Sequence, residues 1–176
     1  MKPTPDAEMT IGPALHITRR NLPHWQLGGC TYFITFRLKG GAGFQPALAP
    51  KERQVVKESI LYWHKRKWAV HALTVMPDHV HILATPREKT AGQWFSVSAI
   101  LHSVKRQSAR RINHLRGRRG ALWRPESFDR IVRDESEFDE KANYILGNAV
   151  RAGLVEDGWS YDGFWCEGMH NMPSAG

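Results

Sequence analysis

The feature that most constrains the fold is a pair of apolar, β-branched segments separated by only two residues. The first is WAVHALTVM at 68–76, and the second, HVHILAT at 79–85, follows Pro77 and Asp78. Segments of this length and composition, divided by turn-forming residues, predict two strands joined in a β-hairpin. The chain is therefore expected to form an antiparallel sheet.

The segments on either side of this hairpin complete an α+β pattern. Residues 30–38 (CTYFITFRL) are rich in aromatic and β-branched residues and predict a strand, as does the alternating FDRIVRD at 128–134. Helices are predicted over 50–67, from about 93 to 115, and over 135–150, where the first turn is acidic. The order β-α-β-β-α-β-α favours an α+β, ferredoxin-like fold in which helices cover one face of an antiparallel sheet.

The length of 176 residues favours a single domain. We expect it to cover residues 28–160, after a loosely structured leader at 1–27 and before a C-terminal tail at 161–176. No apolar run is long enough for a membrane span, and the N-terminus has no secretory signal. Cys30 and Cys166 form neither a zinc motif nor a disulfide framework, so a reducing cytoplasm is the expected location.

The net charge of +8 is concentrated in one part of the chain. Residues 101–133 hold ten Lys and Arg against Glu126 and Asp129, which accounts for the whole net charge. Such a band is either a solvated surface or a face that binds an anionic partner. Because Trp123 and Phe128 lie within it as potential stacking groups, nucleic acid is the favoured partner. The candidate phosphate-binding side chains, here called the basic band, are Lys105, Arg106, Arg110, Arg111, Arg116, Arg118, Arg119 and Arg130.

Two histidines occupy alternate positions in the second strand of the hairpin. Residues i and i+2 of a strand point to the same face, so His79 and His81 project together. They are either core or surface histidines, the commoner case, or two ligands of one divalent ion. Tyr144 and Asn148 stand one helical turn apart, so the Asn148 amide oxygen can complete a metal site beside the phenol. Such a site suits Mg²⁺ or Mn²⁺ at least as well as Zn²⁺. Taken alone, Tyr144 is more typical of a core tyrosine.

Four segments resemble, in the same order, those of a known family. GGCTYFITFRL, MPDHVHIL, GALWRPESFDRIVRD and NYILGNAVRAGLV are similar to segments of the REP-associated tyrosine transposases, a branch of the single-tyrosine HUH transposases. The resemblance runs from about residue 28 to about 160, and three departures are visible. Asp78 stands where the family usually has Asn, Ala149 replaces the usual Pro, and WSYDGF lacks the paired serines common in the closing segment.

The resemblance implies a fold, an activity and a set of site residues. The fold would be the HUH endonuclease core, and the activity metal-dependent cleavage and strand transfer of single-stranded or hairpin (REP-like) DNA in the bacterial nucleoid. His79, His81 and Asn148 would hold Mg²⁺ or Mn²⁺, and Tyr144 would form a 5′-phosphotyrosine intermediate. No membrane and no small-molecule cofactor would be involved, and the choice between monomer and homodimer stays open. Two alternatives also remain: a catalytically inactive nucleic-acid-binding protein of the same fold, and a metal-dependent hydrolase that uses water.

Overall fold

The computed structural model describes the backbone of residues 16–19 and 23–26 and the complete residues 28–40 and 47–168. Two short strands, β1 (His16–Arg19) and β2 (Pro23–Gln26), pair antiparallel within the segment expected to be a loosely structured leader. Most of that leader, and residues 169–176 of the expected tail, lie outside the described residues.

A central antiparallel sheet organises the described part of the chain. The elements after β2 are, in order, β3 (Tyr32–Leu38), α1 (Pro50–Leu61), β4 (Trp68–Val75), β5 (His79–Pro86), β6 (Glu88–Thr90), β7 (Gln93–Trp94), α2 (Val97–Leu115), β8 (Trp123–Ile131), α3 (Glu135–Leu146), α4 (Asn148–Arg151), a 3-10 turn (Gly158–Ser160) and β9 (Phe164–Cys166). The sheet has five strands in the order β8-β3-β5-β4-β9, with every neighbouring pair antiparallel. The predicted α+β class, with helices packed on an antiparallel sheet, is confirmed.

Helices cover both faces of this sheet, which corrects the expectation that they would cover only one. Along β3, Ile34 and Phe36 pack towards α1 and α2, while Phe33, out of phase with them, packs towards α3. Strand β5 behaves in the same way, with Ile82 on the first side and Leu83 on the second. Because both faces of the central strands are apolar, both require a helical cover. No helix in the described part of the chain has the length and apolarity needed to cross a membrane.

Local turn chemistry moves several predicted boundaries. Helix α2 begins after Ser96, whose hydroxyl caps it, because residues 88–94 form the separate hairpin β6–β7. Strand β8 begins at Trp123, well before the predicted start, since an edge strand tolerates Pro125. The third predicted helix is divided at Gly147 into α3 and α4.

Residues 161–167, expected to form a separate tail, instead complete the sheet. Strand β9 pairs with β4, and Tyr161 and Phe164 are buried. The Tyr161 hydroxyl donates to the Val75 carbonyl at 2.9 Å, and the Val75 amide donates to the Gly163 carbonyl at 2.9 Å. A Cβ at Gly163 would lie 2.3 Å from the Val75 oxygen, so glycine is required there. The packed domain therefore extends beyond residue 160.

Candidate active site

The two histidines of β5 lie on the sheet face that α3 covers. The residues that alternate with them in β5 are buried towards α1 and α2, so His79 and His81 point the other way. Their ring centroids are 4.8 Å apart, and the two rings project together as predicted. Strand β3 pairs with β5 so that Arg37 lies opposite His79 and Thr35 lies opposite His81. This register surrounds the imidazole pair with a hydroxyl and a cation.

Hydrogen bonds hold the Nδ1 atom of each imidazole. His79 Nδ1 lies 2.6 Å from Asp78 Oδ1, and because a carboxylate only accepts, the histidine is the donor. His81 Nδ1 lies 2.8 Å from Thr35 Oγ1. When Nδ1 donates in both contacts, each Nε2 lone pair is left for a metal ion. Asp78, a departure from the family pattern, therefore still supplies an acceptor for His79.

Tyr144 of α3 lies beside the imidazole pair. Its ring centroid is 5.3 Å from that of His81 and 5.9 Å from that of Phe33, both in edge-to-face geometry. Asp134 begins α3 by accepting from the Glu137 amide at 2.8 Å, which anchors the helix across the sheet. The Tyr144 side chain is 41% exposed, unlike that of a core tyrosine. The predicted meeting of phenol and imidazoles is thus present.

Three cations that were not predicted as site residues surround these rings. The Arg151 guanidinium lies 4.4 Å from the Tyr144 ring centroid and donates to the Tyr144 carbonyl. Lys141 Nζ lies 5.7 Å from the Phe33 ring, and Arg37 lies beside the imidazoles on β3. The position of Arg151 near Tyr144 could have been predicted from the sequence, since it follows Tyr144 by two helical turns. The position of Arg37 could not, because it depends on how β3 pairs with β5.

Asn148 is the first residue of α4, directly after the break at Gly147. It was predicted to lie one turn after Tyr144 on a continuous helix, but α3 ends at Leu146 and Gly147 separates the two helices. Asn148 is buried at the start of α4. Its role as a third metal ligand stays a prediction.

The side chains of this site supply two of the ligands that a divalent ion would need. Two imidazoles with held Nδ1 atoms present nitrogen ligands on one face, as metal-binding histidines do. Within the described ranges, no group of three or more His, Cys, Asp or Glu side chains is placed to hold a metal ion. Among the described residues the candidate third ligand is the Asn148 amide, which, with phosphate oxygen or water, would make a ligand set compatible with Mg²⁺ or Mn²⁺.

His81 is held neutral at physiological pH. Burial, together with the nearby charges of His79, Arg37 and Arg151, lowers the pKa of His81 from 6.5 to about 3. A neutral imidazole is the form that can bind a metal ion.

This shift predicts an acid-dependent loss of stability. Between pH 6.5 and 3 the unfolded chain protonates His81 and the folded chain does not, so the stabilisation present above pH 6.5 is lost as the pH falls. The free energy of unfolding can be measured by urea titration in EDTA at pH 7.5 and at pH 5.0. From pH 7.5 to 5.0 it should fall by up to about 2 kcal/mol more in the wild type than in His81→Gln, since each pH unit below 6.5 costs about 1.4 kcal/mol. Equal pH dependence in the two proteins would contradict this assignment.

The α2 members of the basic band do not share a face with the histidines, whereas Arg130 of β8 pairs with Phe33 and lies on the histidine face. Helix α2 packs on the opposite side of the sheet, and Lys105 Nζ donates to the carbonyls of Arg124, Pro125 and Glu126 at 3.1–3.2 Å. Burial lowers the pKa of Lys105 to about 8. Its ammonium therefore joins α2 to β8, and its selection as a DNA-binding group is not supported.

Other members of the band also make intramolecular ion pairs. Arg111 binds Glu58 at 2.7 Å, and Arg130 binds the buried Glu137. Exposed members of the band are Arg106, Arg110, Arg111, Arg119 and Arg130. The two aromatic residues also differ, since Trp123 is buried and donates to Ser108 Oγ at 2.9 Å, whereas Phe128 is 52% exposed. Trp123 was thus wrongly selected as a stacking group.

Arg116 is predicted to act in folding and not in DNA binding. It forms a bidentate ion pair with the buried Glu52 at 2.5 and 2.6 Å, and it lowers the pKa of Glu52. Arg116→Ala should lower the free energy of unfolding by about 3 kcal/mol, because it leaves a buried carboxylate unpaired. Arg119→Ala, the exposed control, should change it by less than about 0.5 kcal/mol. Urea titration measures both, and equal stability of the two variants would exclude this role.

Comparisons with known proteins identify the family. The model of the family described as Transposase IS200 like matches residues 45–147, and the chain belongs to this family. The resemblance to REP-associated tyrosine transposases is confirmed by individual relatives. The REP-associated tyrosine transposase of Escherichia coli K12 is 22% identical over 143 residues, covering 80% of this chain and 79% of that protein. A Haemophilus influenzae protein assigned to the same group is 24% identical over 100 residues, covering 53% of this chain and 57% of the relative.

A solved structure supports the fold assignment. The structure of a REP-associated tyrosine transposase bound to a REP hairpin superposes with a TM-score of 0.66 at 20% sequence identity. The match covers 83% of this chain and 82% of the other. The chain therefore has the fold of that transposase.

Proposed function

We propose that this chain is a single-stranded DNA endonuclease and strand transferase that uses Tyr144 as its nucleophile. The observation that carries the proposal is the position of the Tyr144 ring, 5.3 Å from that of His81 and partly exposed, on the face where two imidazoles project together. Family membership and the hairpin bound by a protein of the same fold point to hairpin DNA as the substrate class.

The proposed reaction exchanges one phosphoester for another. The Tyr144 oxygen forms a bond to phosphorus as the bond from phosphorus to the 3′ oxygen breaks, which leaves a 5′-phosphotyrosine and a free 3′ end. The phenol loses its proton and the departing 3′ oxygen gains one, so no oxidant and no nucleotide is consumed. Attack by a second 3′ hydroxyl reverses the step and joins two DNA ends. The tyrosine distinguishes this transfer from hydrolysis by water.

The side chains around Tyr144 have distinct tasks in this reaction. Arg151 fixes the nucleophile, since its guanidinium contacts both the ring and the carbonyl of Tyr144. Arg37 and Arg151 place positive charge where an anionic phosphodiester would bind beside the imidazoles. His79 and His81, with Asn148 as the candidate third ligand, would hold Mg²⁺ or Mn²⁺. When bound, such an ion offsets the negative charge that develops on the phosphate and on the leaving oxygen.

A labelling experiment tests the proposal. The probe is a pool of hairpin oligonucleotides with randomised single-stranded flanks, labelled at either the 5′ or the 3′ end and incubated with the protein and Mn²⁺. A 5′-phosphotyrosine predicts that the 3′ label migrates with the protein on a denaturing gel until protease digestion. The 5′ label should appear in a shortened, protein-free fragment. An adduct carrying the 5′ label would contradict the proposed polarity.

The same gel separates the alternatives. Cleavage of both probes without any protein-linked fragment would indicate a hydrolase that uses water. Binding without cleavage would indicate a nucleic-acid-binding protein that has lost the activity. Either result would overturn the proposed function.

A further inference from the structure

Phe128 lies in line with the candidate active site across the sheet. In the register of the three strands, Phe128 of β8 is the partner of Thr35 in β3, and Thr35 is the partner of His81 in β5. Directly paired residues of antiparallel strands point to the same face, so all three side chains lie on the face that carries Tyr144. Two strand spacings place the Phe128 backbone about 10 Å from that of His81.

The Phe128 ring is placed for a ligand and not for the core. It is 52% exposed, while Trp123 of the same strand is buried in the core. In the strand register, the residue between Phe128 and His81 is Thr35, a short side chain whose hydroxyl lies 2.8 Å from His81 Nδ1. Along the row of Phe128, Thr35 and His81, an exposed aromatic ring is therefore followed by a short side chain and then by the imidazole pair.

The charges around this row suit a single-stranded nucleic acid. Arg37 lies on the same face, two residues after Thr35 in β3, where it is paired with His79. Arg130 also lies on this face, two residues after Phe128 in β8. Strand β8 is also an edge of the sheet, between the histidine face and the face covered by α2 with its exposed arginines. A DNA strand bound by the α2 arginines would reach the histidines across this edge, at which Phe128 is exposed and which β2 also contacts.

We propose that Phe128 is a positioning residue on which the base of a nucleotide next to the scissile phosphate stacks. The inference rests on the proposed function for its substrate and adds a contact with the base to a site otherwise made of phosphate-binding groups. Stacking on an aromatic ring accepts any base, so Phe128 sets the position of the strand and not its sequence. Its loss lets the phosphodiester move away from Tyr144 and the imidazoles.

Affinity measurements with matched variants test this role. Binding of a fluorescent single-stranded oligonucleotide, in EDTA to prevent cleavage, should weaken by about 5- to 100-fold in Phe128→Ala, and Phe128→Trp should restore it. Binding of a blunt duplex of the same length should be unchanged. Tyr62→Ala, which removes an aromatic residue of similar exposure (49%) at the end of α1, should bind like the wild type. An unchanged affinity in Phe128→Ala, with normal thermal unfolding, would overturn the proposal.

Photocrosslinking gives an independent measurement. Oligonucleotides carrying 5-iodouracil at successive positions of the single-stranded flank should crosslink to the peptide that contains Phe128 at one position only. Adduct formation by Phe128→Ala should show a raised KM that Phe128→Trp reverses. Failure of the inference is separable from failure of the proposed function. A covalent adduct with no crosslink at Phe128 would refute only the stacking role, whereas a crosslink without any adduct would refute only the catalytic proposal.

Discussion

Replacement of Tyr144 by phenylalanine is expected to eliminate the covalent adduct and to reduce DNA cleavage by at least about 10³-fold. The substitution removes one oxygen atom and leaves the ring in its contacts with His81 and Phe33. Because Tyr144 is partly exposed, the free energy of unfolding should change by less than about 0.5 kcal/mol. DNA affinity should also be preserved, since binding depends on the cations. The gel assay with the 3′-labelled probe measures cleavage, and urea titration checks the fold.

The other tyrosines supply the control for this experiment. The chain has four tyrosines including Tyr144, and two of the other three, Tyr32 and Tyr161, are buried in the core. Burial raises the pKa of Tyr161 to about 12, and its hydroxyl donates to the Val75 carbonyl, so neither oxygen is available for attack. Tyr62 is exposed at the end of α1, and Tyr62→Phe should cleave like the wild type. An adduct that survives in Tyr144→Phe would show that another group is the nucleophile.

The histidine pair could be predicted from the sequence because it depends on local geometry alone. The alternation of side chains in a strand places His79 and His81 on one face whatever the neighbouring strands are. Register is different, since a shift of β3 by one residue would remove Thr35 and Arg37 from the histidine face. The polar surroundings of the imidazoles therefore follow from tertiary pairing, for which the sequence offers no local signal.

The basic band shows a second limit of sequence reasoning. Charge density at 101–133 was real, but two of its arginines have partners far away in the chain, Glu58 for Arg111 and Glu52 for Arg116. Composition cannot distinguish a cation that binds phosphate from one that satisfies a buried carboxylate or a group of carbonyls. Similarly, the apolar residues of β3 and β5 occur in both phases of the alternation, and this pattern predicts covered faces on both sides more directly than element order does.

Removal of divalent metal is the second change with a large expected effect. EDTA should abolish cleavage and adduct formation, and Mn²⁺ should restore them, because the charge on the leaving oxygen would otherwise be uncompensated. His79→Ala should have the same effect even with Mn²⁺ present. Calorimetric titration of the free protein should show Mn²⁺ affinity lower by at least about 100-fold in this variant, more than the loss of an outer hydrogen-bond partner costs. Single-stranded DNA affinity in EDTA should change by less than about threefold, since phosphate contacts come from lysine and arginine.

His102→Ala is the matched control for the metal experiment. His102 is exposed on α2, across the sheet from the imidazole pair, so its loss should alter neither Mn²⁺ affinity nor cleavage. His79 makes its hydrogen bond at the surface with Asp78, and His79→Ala should therefore unfold at nearly the same temperature as the wild type. Full cleavage by His79→Ala in EDTA would show that Tyr144 acts without His79 and without a metal ion, although the rings of Tyr144 and His81 lie close together. If His79→Ala instead bound DNA about tenfold more weakly, His79 would be a DNA-binding residue, and its proposed role as a metal ligand would be contradicted.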